Sequence, residues 1–139
     1  DITVARDFDG SADYLTRTGT PIITGFPFTV SAMVNIDSAG SAPAIFQFGI
    51  STANTNRVGL YVATANKLIA SSRNGSSTTT FQTSSIVSTG VWRNVVGTFE
   101  TGEYVYAYLD GNGAGSYTAQ NAHSWLQLVQ STGVLRYSS

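Results

Sequence analysis

WRNVVGTFE (Trp92–Glu100) and EYVYAYLD (Glu103–Asp110), separated by Thr101-Gly102, decide the fold class. Both runs are rich in aromatic and β-branched residues and hold a period of two, so they read as a hairpin closed by a tight turn. Val105, Ala107 and Leu109 fall on one face, and Tyr104, Tyr106 and Tyr108 on the other. Asp110-Gly111 ends the second strand as a turn with positive φ.

The same period runs upstream. Phe28, Val30, Ala32, Val34 and Ile36 alternate with Thr29, Ser31, Met33 and Asn35. Ala44, Phe46, Phe48 and Ile50 form a second alternating set, and Val58, Leu60 and Val62 a third. Lys67 to Ser72 is a short strand, closed by a type I′ signal at Asn74-Gly75, with Thr78 to Thr83 returning. No segment carries a convincing helical stripe; over His123 to Gln130 the alternation of Trp125, Gln127 and Val129 favours a strand over a short helix capped by Ser124. Strands broken by turn signals every 8–12 residues predict an all-β sandwich or barrel.

The 139 residues suit one domain, 1–139, with a core of its own. Only 11% are charged, against roughly 25% in typical soluble domains, so Ser, Thr, Asn, Gln and Gly must supply the polar surface. A net charge of −1 and scattered arginines leave no basic footprint for nucleic acid. No run approaches the ~18 apolar residues of a membrane-inserting helix. With no cysteine there is neither a disulfide framework nor a thiolate metal site. The start at Asp1, without methionine or signal peptide, suggests a removed leader or a piece of a longer polypeptide.

Two motifs resemble laminin-G-like, concanavalin-A-like jelly rolls. Phe8-Asp9-Gly10-Ser11-Ala12-Asp13-Tyr14-Leu15, followed by Phe28-Thr29-Val30-Ser31-Ala32-Met33-Val34, resembles the opening turn and strand, with Met33 where an aromatic is usual. Trp92 to Phe99, then Tyr106-Ala107-Tyr108-Leu109-Asp110-Gly111, resembles the later hairpin. The resemblance covers about residues 3–111 and implies an antiparallel two-sheet jelly-roll sandwich, with Trp92 as a core anchor. Residues 112–139 carry no match to the acidic strand that closes the family's sandwich; Val134, Leu135, Arg136 and Tyr137 could be a strand, but without the acidic pair. Such a domain would be truncated, permuted, or completed by a neighbouring chain, and its open edges would favour self-association.

The fold hosts lectins, adhesion modules, glycanases and virion proteins, so function rests on the site. A glycanase needs two carboxyls facing across its substrate. The two glutamates, Glu100 and Glu103, instead flank a hairpin tip, and the single histidine, His123, builds no triad or His-rich metal site. No catalytic residues are assigned. Asp9 and Asp13 bracket a tight turn and could ligate calcium, as the resembled fold often does; the plainer role is hydrogen bonding to turn amides. Tyr104, Tyr106 and Tyr108 form the candidate ligand stripe, since tyrosine offers a flat apolar ring and a polar tip for stacking on sugars. Cross-strand packing is the plainer reading of that stripe. Arg57, Tyr61 and Arg73 lie on strands that could neighbour it, in a register the sequence does not set. The resulting expectation is a non-catalytic, lectin-like module on an extracellular or virion (phage) surface, binding a glycan or cell-surface receptor. The alternative is a self-associating virion or filament subunit; a glycanase ranks last.

Overall fold

A computed structural model describes residues 14–17, 23, 25–37, 44–49, 56–63, 65–75, 77–100, 104–119 and 135–138. They form β1 (Tyr14–Arg17), β2 (Phe28–Val34), β3 (Ala44–Gly49), β4 (Asn56–Val62), β5 (Lys67–Asn74), β6 (Ser77–Ile86), β7 (Arg93–Phe99), β8 (Val105–Leu109), β9 (Gly115–Ala119) and β10 (Leu135–Ser138). One sheet has seven strands in the order β1-β10-β3-β4-β5-β6-β9; the other has three, β2-β7-β8. Every named pairing is antiparallel. This is the two-sheet sandwich that the resemblance implies, one of the two all-β architectures that the alternating patterns allow.

The core lies between the sheets, where period two sends one side of each strand inward. The large sheet contributes Phe46, Phe48, Val58, Leu60, Val62, Leu68, Ala70 and Phe81; the small sheet contributes Val95, Phe99, Val105, Ala107 and Leu109. On β2 the alternation is as read: Phe28, Val30, Ala32 and Val34 are half-buried against the core, while Thr29, Ser31 and Met33 are exposed. Gly97 permits close approach of the layers, because a Cβ there would stand 3.1 Å from both Leu60 Cδ1 and Phe99 Cε2. Phe28 stacks on Phe99 with ring centroids 4.8 Å apart.

At the C-terminus the possible strand over Val134–Tyr137 is realised one residue later, and the expectation of an unfilled closing position is corrected. Leu135–Ser138 forms a strand beside β1, in register from Tyr14↔Ser138 to Arg17↔Leu135, and meets β3 at Arg136↔Gln47. The closing position is filled without the acidic signature, because ladder pairing uses backbone groups that every residue except proline carries in full. Residues Gly115–Ala119 add a further strand on β6. The predicted element over His123 to Gln130 lies outside the described residues.

Both hairpins differ from their predicted turns by one residue. Asn74 pairs with Ser77 and Gly75 follows the strand at φ +59°, whereas a turn centred on Asn74-Gly75 would leave Asn74 outside the ladder. The β7–β8 ladder ends at Phe99↔Val105, and Glu100 N donates to Tyr104 O at 2.8 Å, whereas a two-residue turn at Thr101-Gly102 would set Glu100 against position 103. In β5–β6 the ladder shifts between Lys67 and Ile69, and the buried Thr83 Oγ1 accepts the Leu68 N–H at 3.1 Å where a carbonyl would otherwise serve.

Candidate functional site

On β8 the sequence phase is realised. Val105, Ala107 and Leu109 are buried, Tyr106 and Tyr108 are half-buried, and Tyr104 is 46% exposed. The three tyrosines have different surroundings. Tyr106, on the last strand of the small sheet, reaches toward the large one, with its ring centroid 5.4 Å from Phe81 and 6.0 Å from Tyr117. Phe81 and Tyr117 are themselves 5.3 Å apart on paired positions of β6 and β9, and all three contacts are edge-to-face. Such contacts hold ring orientations beyond what burial alone gives. Tyr108 instead covers the β8–β9 connection: a Cβ on Gly113 would lie 2.5 Å from Tyr108 Cε1.

Tyr117 was not singled out by sequence reasoning, because GSYTA follows a glycine-rich run and carries no strong strand signal. Its hydroxyl is shielded from solvent without a well-formed hydrogen bond. Burial pushes its pKa up, and the neighbouring Tyr106 adds to the rise. Tyr104 lies close enough to contribute in the same direction. The result is an aromatic ledge where the two sheets' edges meet: a locked floor of Tyr106, Tyr117 and Phe81, beside one accessible ring, Tyr104.

An open groove lined by Ser84, Ser85, Ile86, Arg93, Leu109, Asp110 and Asn112 lies at one end of β8. Asp110 turns the chain at φ +50° and Gly111 follows at +78°, the positive-φ turn read from the sequence. Asp110 Oδ2 accepts from Arg93 Nη1 at 2.8 Å, and its Oδ1 accepts the Asn94 N–H at 2.9 Å. The Asn94 amide first, then Arg93, holds the Asp110 carboxyl below its ordinary range. Asp110 is the groove's lone carboxylate among the lining residues, fixed as an anion by its partners.

Trp92 does not anchor the core; it is 41% exposed, near Val91 at 48%. The parity of β7 explains this. Val95, Gly97 and Phe99 point inward, so a residue at position 92, just before the strand, falls on the opposite phase. Arg57, Tyr61 and Arg73 belong to the seven-stranded sheet and do not join the tyrosines of β8, which lie in the other sheet. Glu100 is exposed at the hairpin tip. Asp9, Asp13, Glu103 and His123 lie outside the described residues. Among the described residues no cluster of three His, Cys, Asp or Glu side chains could hold a metal ion, and no helix is long and apolar enough to cross a membrane.

A family model of laminin-G type, described as the concanavalin A-like lectin/glucanases superfamily, matches residues 9–134. The match continues well past Gly111, through the segment in which the motifs gave out. Among solved structures, domains LG4-5 of the mouse laminin alpha1 chain superpose with a TM-score of 0.61 at 12% identity. The alignment covers 88% of this chain and 31% of that one, so the chain spans about a third of the laminin structure. At that identity the likeness is one of fold. No curated protein matches the chain.

Proposed function

The chain belongs to the concanavalin A-like lectin/glucanases superfamily, and from that premise we propose that it is a non-catalytic binding module. Its partner is a glycan or a glycan-bearing receptor, met on an extracellular or virion surface. The observation that carries this reading is the aromatic ledge. Tyr104 is exposed beside a floor whose rings are already locked by Phe81, so little conformational freedom is left to lose on binding. A flat ring with a hydroxyl tip suits a pyranose, which has an apolar face and polar rim. Against hydrolysis stands Asp110, the one carboxylate among the described residues that line the groove: a two-carboxyl mechanism needs a protonated acid, and the partners of Asp110 favour its ionised form.

A glycan array with the intact chain tests the proposal, followed by titration of the strongest ligand against Tyr104→Ala. Binding that falls at least tenfold, with an unchanged melting curve, supports it. An array without signal, or a ligand indifferent to Tyr104, rejects it.

A second reading, self-association, rests on Met33, Ile86, Val91 and Trp92, all exposed large apolar side chains at 41–53%. Exposed apolar groups of this size can form a contact between copies. Light scattering over a hundredfold range of concentration decides it: a constant monomer mass removes this reading.

A further inference from the structure

The sequence contains two Asn-Gly pairs, Asn74-Gly75 and Asn112-Gly113. An asparagine followed by glycine is open to attack of the backbone on its own side chain, because glycine has no Cβ to crowd the approach. The fold treats the two pairs differently. Asn74 ends β5 inside the large sheet, opposite Asn56 of β4 on one side and Ser77 of β6 on the other. Ladders on both flanks hold its backbone, and Gly75 is committed to a turn at φ +59°. Closing a ring there would break the hairpin. Asn112 is exposed in the connection from β8 to β9, where its one bridge is an isolated pairing with Leu109.

Three features converge at Asn112. Its Oδ1 accepts the Ala114 N–H at 2.9 Å, which folds the side-chain amide along the Gly113 peptide and brings its carbonyl carbon to the side of the Gly113 nitrogen. The same N–H polarises that carbonyl and would stabilise the oxyanion formed as Gly113 N attacks, as a donor in an oxyanion hole does. Gly113 N has no hydrogen-bond acceptor among the described residues, so no bond is lost when it moves. Finally, a Cβ at position 113 would lie 2.5 Å from Tyr108 Cε1. The ring of Tyr108 thus excludes any side chain there and imposes the residue that leaves the attack unhindered.

We propose that Asn112-Gly113 is a site of spontaneous covalent modification, passing through a succinimide to aspartate and isoaspartate at position 112. Gly113 N gives its proton to a solvent base and bonds to Asn112 Cγ. The bond from Cγ to Nδ2 breaks, and Nδ2 takes a proton from water and leaves as ammonia. Water then opens the ring at either carbonyl carbon, its hydroxyl going to that carbon and its proton to Gly113 N; no oxidant or reductant takes part. Opening at Cγ gives aspartate on an unchanged backbone. Opening at the backbone carbonyl carbon routes the chain through Cβ and Cγ and lengthens it by one carbon. Either product adds a negative charge to a chain of net charge −1 and sets a second carboxylate in the groove that Asp110 and Asn112 line. The longer backbone no longer fits the two hydrogen bonds exchanged by Leu109 and Asn112, at 2.9 and 3.0 Å, so the turn that carries Asp110 loosens. The site lies past the opposite end of β8 from Tyr104 and does not depend on the glycan-binding reading.

Incubation of the intact chain at mildly alkaline pH, followed by acidic digestion and peptide mapping by mass spectrometry, measures both asparagines in one sample. In the native chain Asn112 converts at least tenfold faster than Asn74, and its peptide appears as two products, aspartyl and isoaspartyl. In urea, where neither the ladders nor the Ala114 hydrogen bond persists, the two rates approach each other. Asn112→Gln keeps the amide but lengthens the side chain by one methylene, and slows conversion at that position at least tenfold. The isoaspartyl form, isolated by anion exchange, melts below Asn112→Asp, which carries the same charge on an unchanged backbone. A native ratio below tenfold overturns the inference, and so does an equal ratio in urea, which would assign the difference to local sequence rather than to the fold. Aspartate as the sole product, or an Asn112→Gln variant that converts at the native rate, would mean direct hydrolysis and overturns the ring-closing step. An isoaspartyl form that melts as Asn112→Asp does refutes the loosened turn.

Discussion

On the outer side of the large sheet the Tyr61 ring lies over Gly59; where β8 runs into β9, the Tyr108 ring lies over Gly113. Both surfaces use the same local device, a glycine whose missing side chain leaves room for a tyrosine ring. They differ in what surrounds it. The large-sheet face gathers guanidinium, hydroxyl and amide groups around Tyr61. The β8 side gathers aromatic rings, with Tyr106, Tyr117 and Phe81 locked together and Tyr104 left open. One surface is rich in hydrogen-bonding groups and the other in aromatic rings, and a single hydrophobic layer supports both. The two surfaces can share a sandwich because one lies on an outer sheet face and the other where the edges of the two sheets meet.

The support common to both is the place to break the comparison most severely. Leu60 is fully buried and reaches Gly97 of the opposite sheet. Leu60→Ala is expected to cost about 2–5 kcal/mol by urea denaturation and to weaken both surfaces together. A loss confined to one surface would show that the faces are not mechanically linked through the core.

Gly115→Ala separates the two. A Cβ there would stand 2.3 Å from Gln82 O, a backbone atom that cannot swing away, and 2.7 Å from the Phe81 ring. The expected cost is about 1–3 kcal/mol, with the β6–β9 ladder strained and the aromatic ledge disturbed. Hydrogen exchange should quicken at β9 and stay slow at β4 and β5. Gly59→Ala acts on the other face: Tyr61 must leave its seat, at about 1–2 kcal/mol. Combined with Tyr61→Ala, the same glycine change should add little, and a fully additive double variant would contradict the seating.

Asp110 carries the smallest effect. Its folded pKa lies below the ordinary 3.8, so its pairing with Asn94 and Arg93 stabilises fully above that value and is lost as pH falls through the lower folded one. Asp110→Asn keeps a residue that tolerates φ +50°. The variant should melt slightly below the native chain at pH 7, and the gap should close on acidification below 3.8. A gap that is constant with pH would mean the ion pair contributes nothing.

The sequence by itself determined which residues of each strand face inward. Val105, Ala107 and Leu109 against Tyr104, Tyr106 and Tyr108, and Phe28 through Val34, follow from period two, which is local. The turn at Asp110-Gly111 was legible for the same reason, since the φ preference belongs to the residues themselves. The error at Trp92 shows where motif likeness and parity compete, and parity prevailed because the phase of Val95 and Phe99 is set by burial.

Only the tertiary structure decided who stands beside whom. That Arg57 opposes Arg73, that Tyr117 closes on Tyr106 and Phe81, and that Leu135–Ser138 lies beside β1 are outcomes of strand pairing between distant segments. Such pairing is made by backbone N–H and C=O groups, which are nearly alike at every position. Partner and register are therefore chosen by the packing of the whole sandwich rather than by any short stretch of sequence.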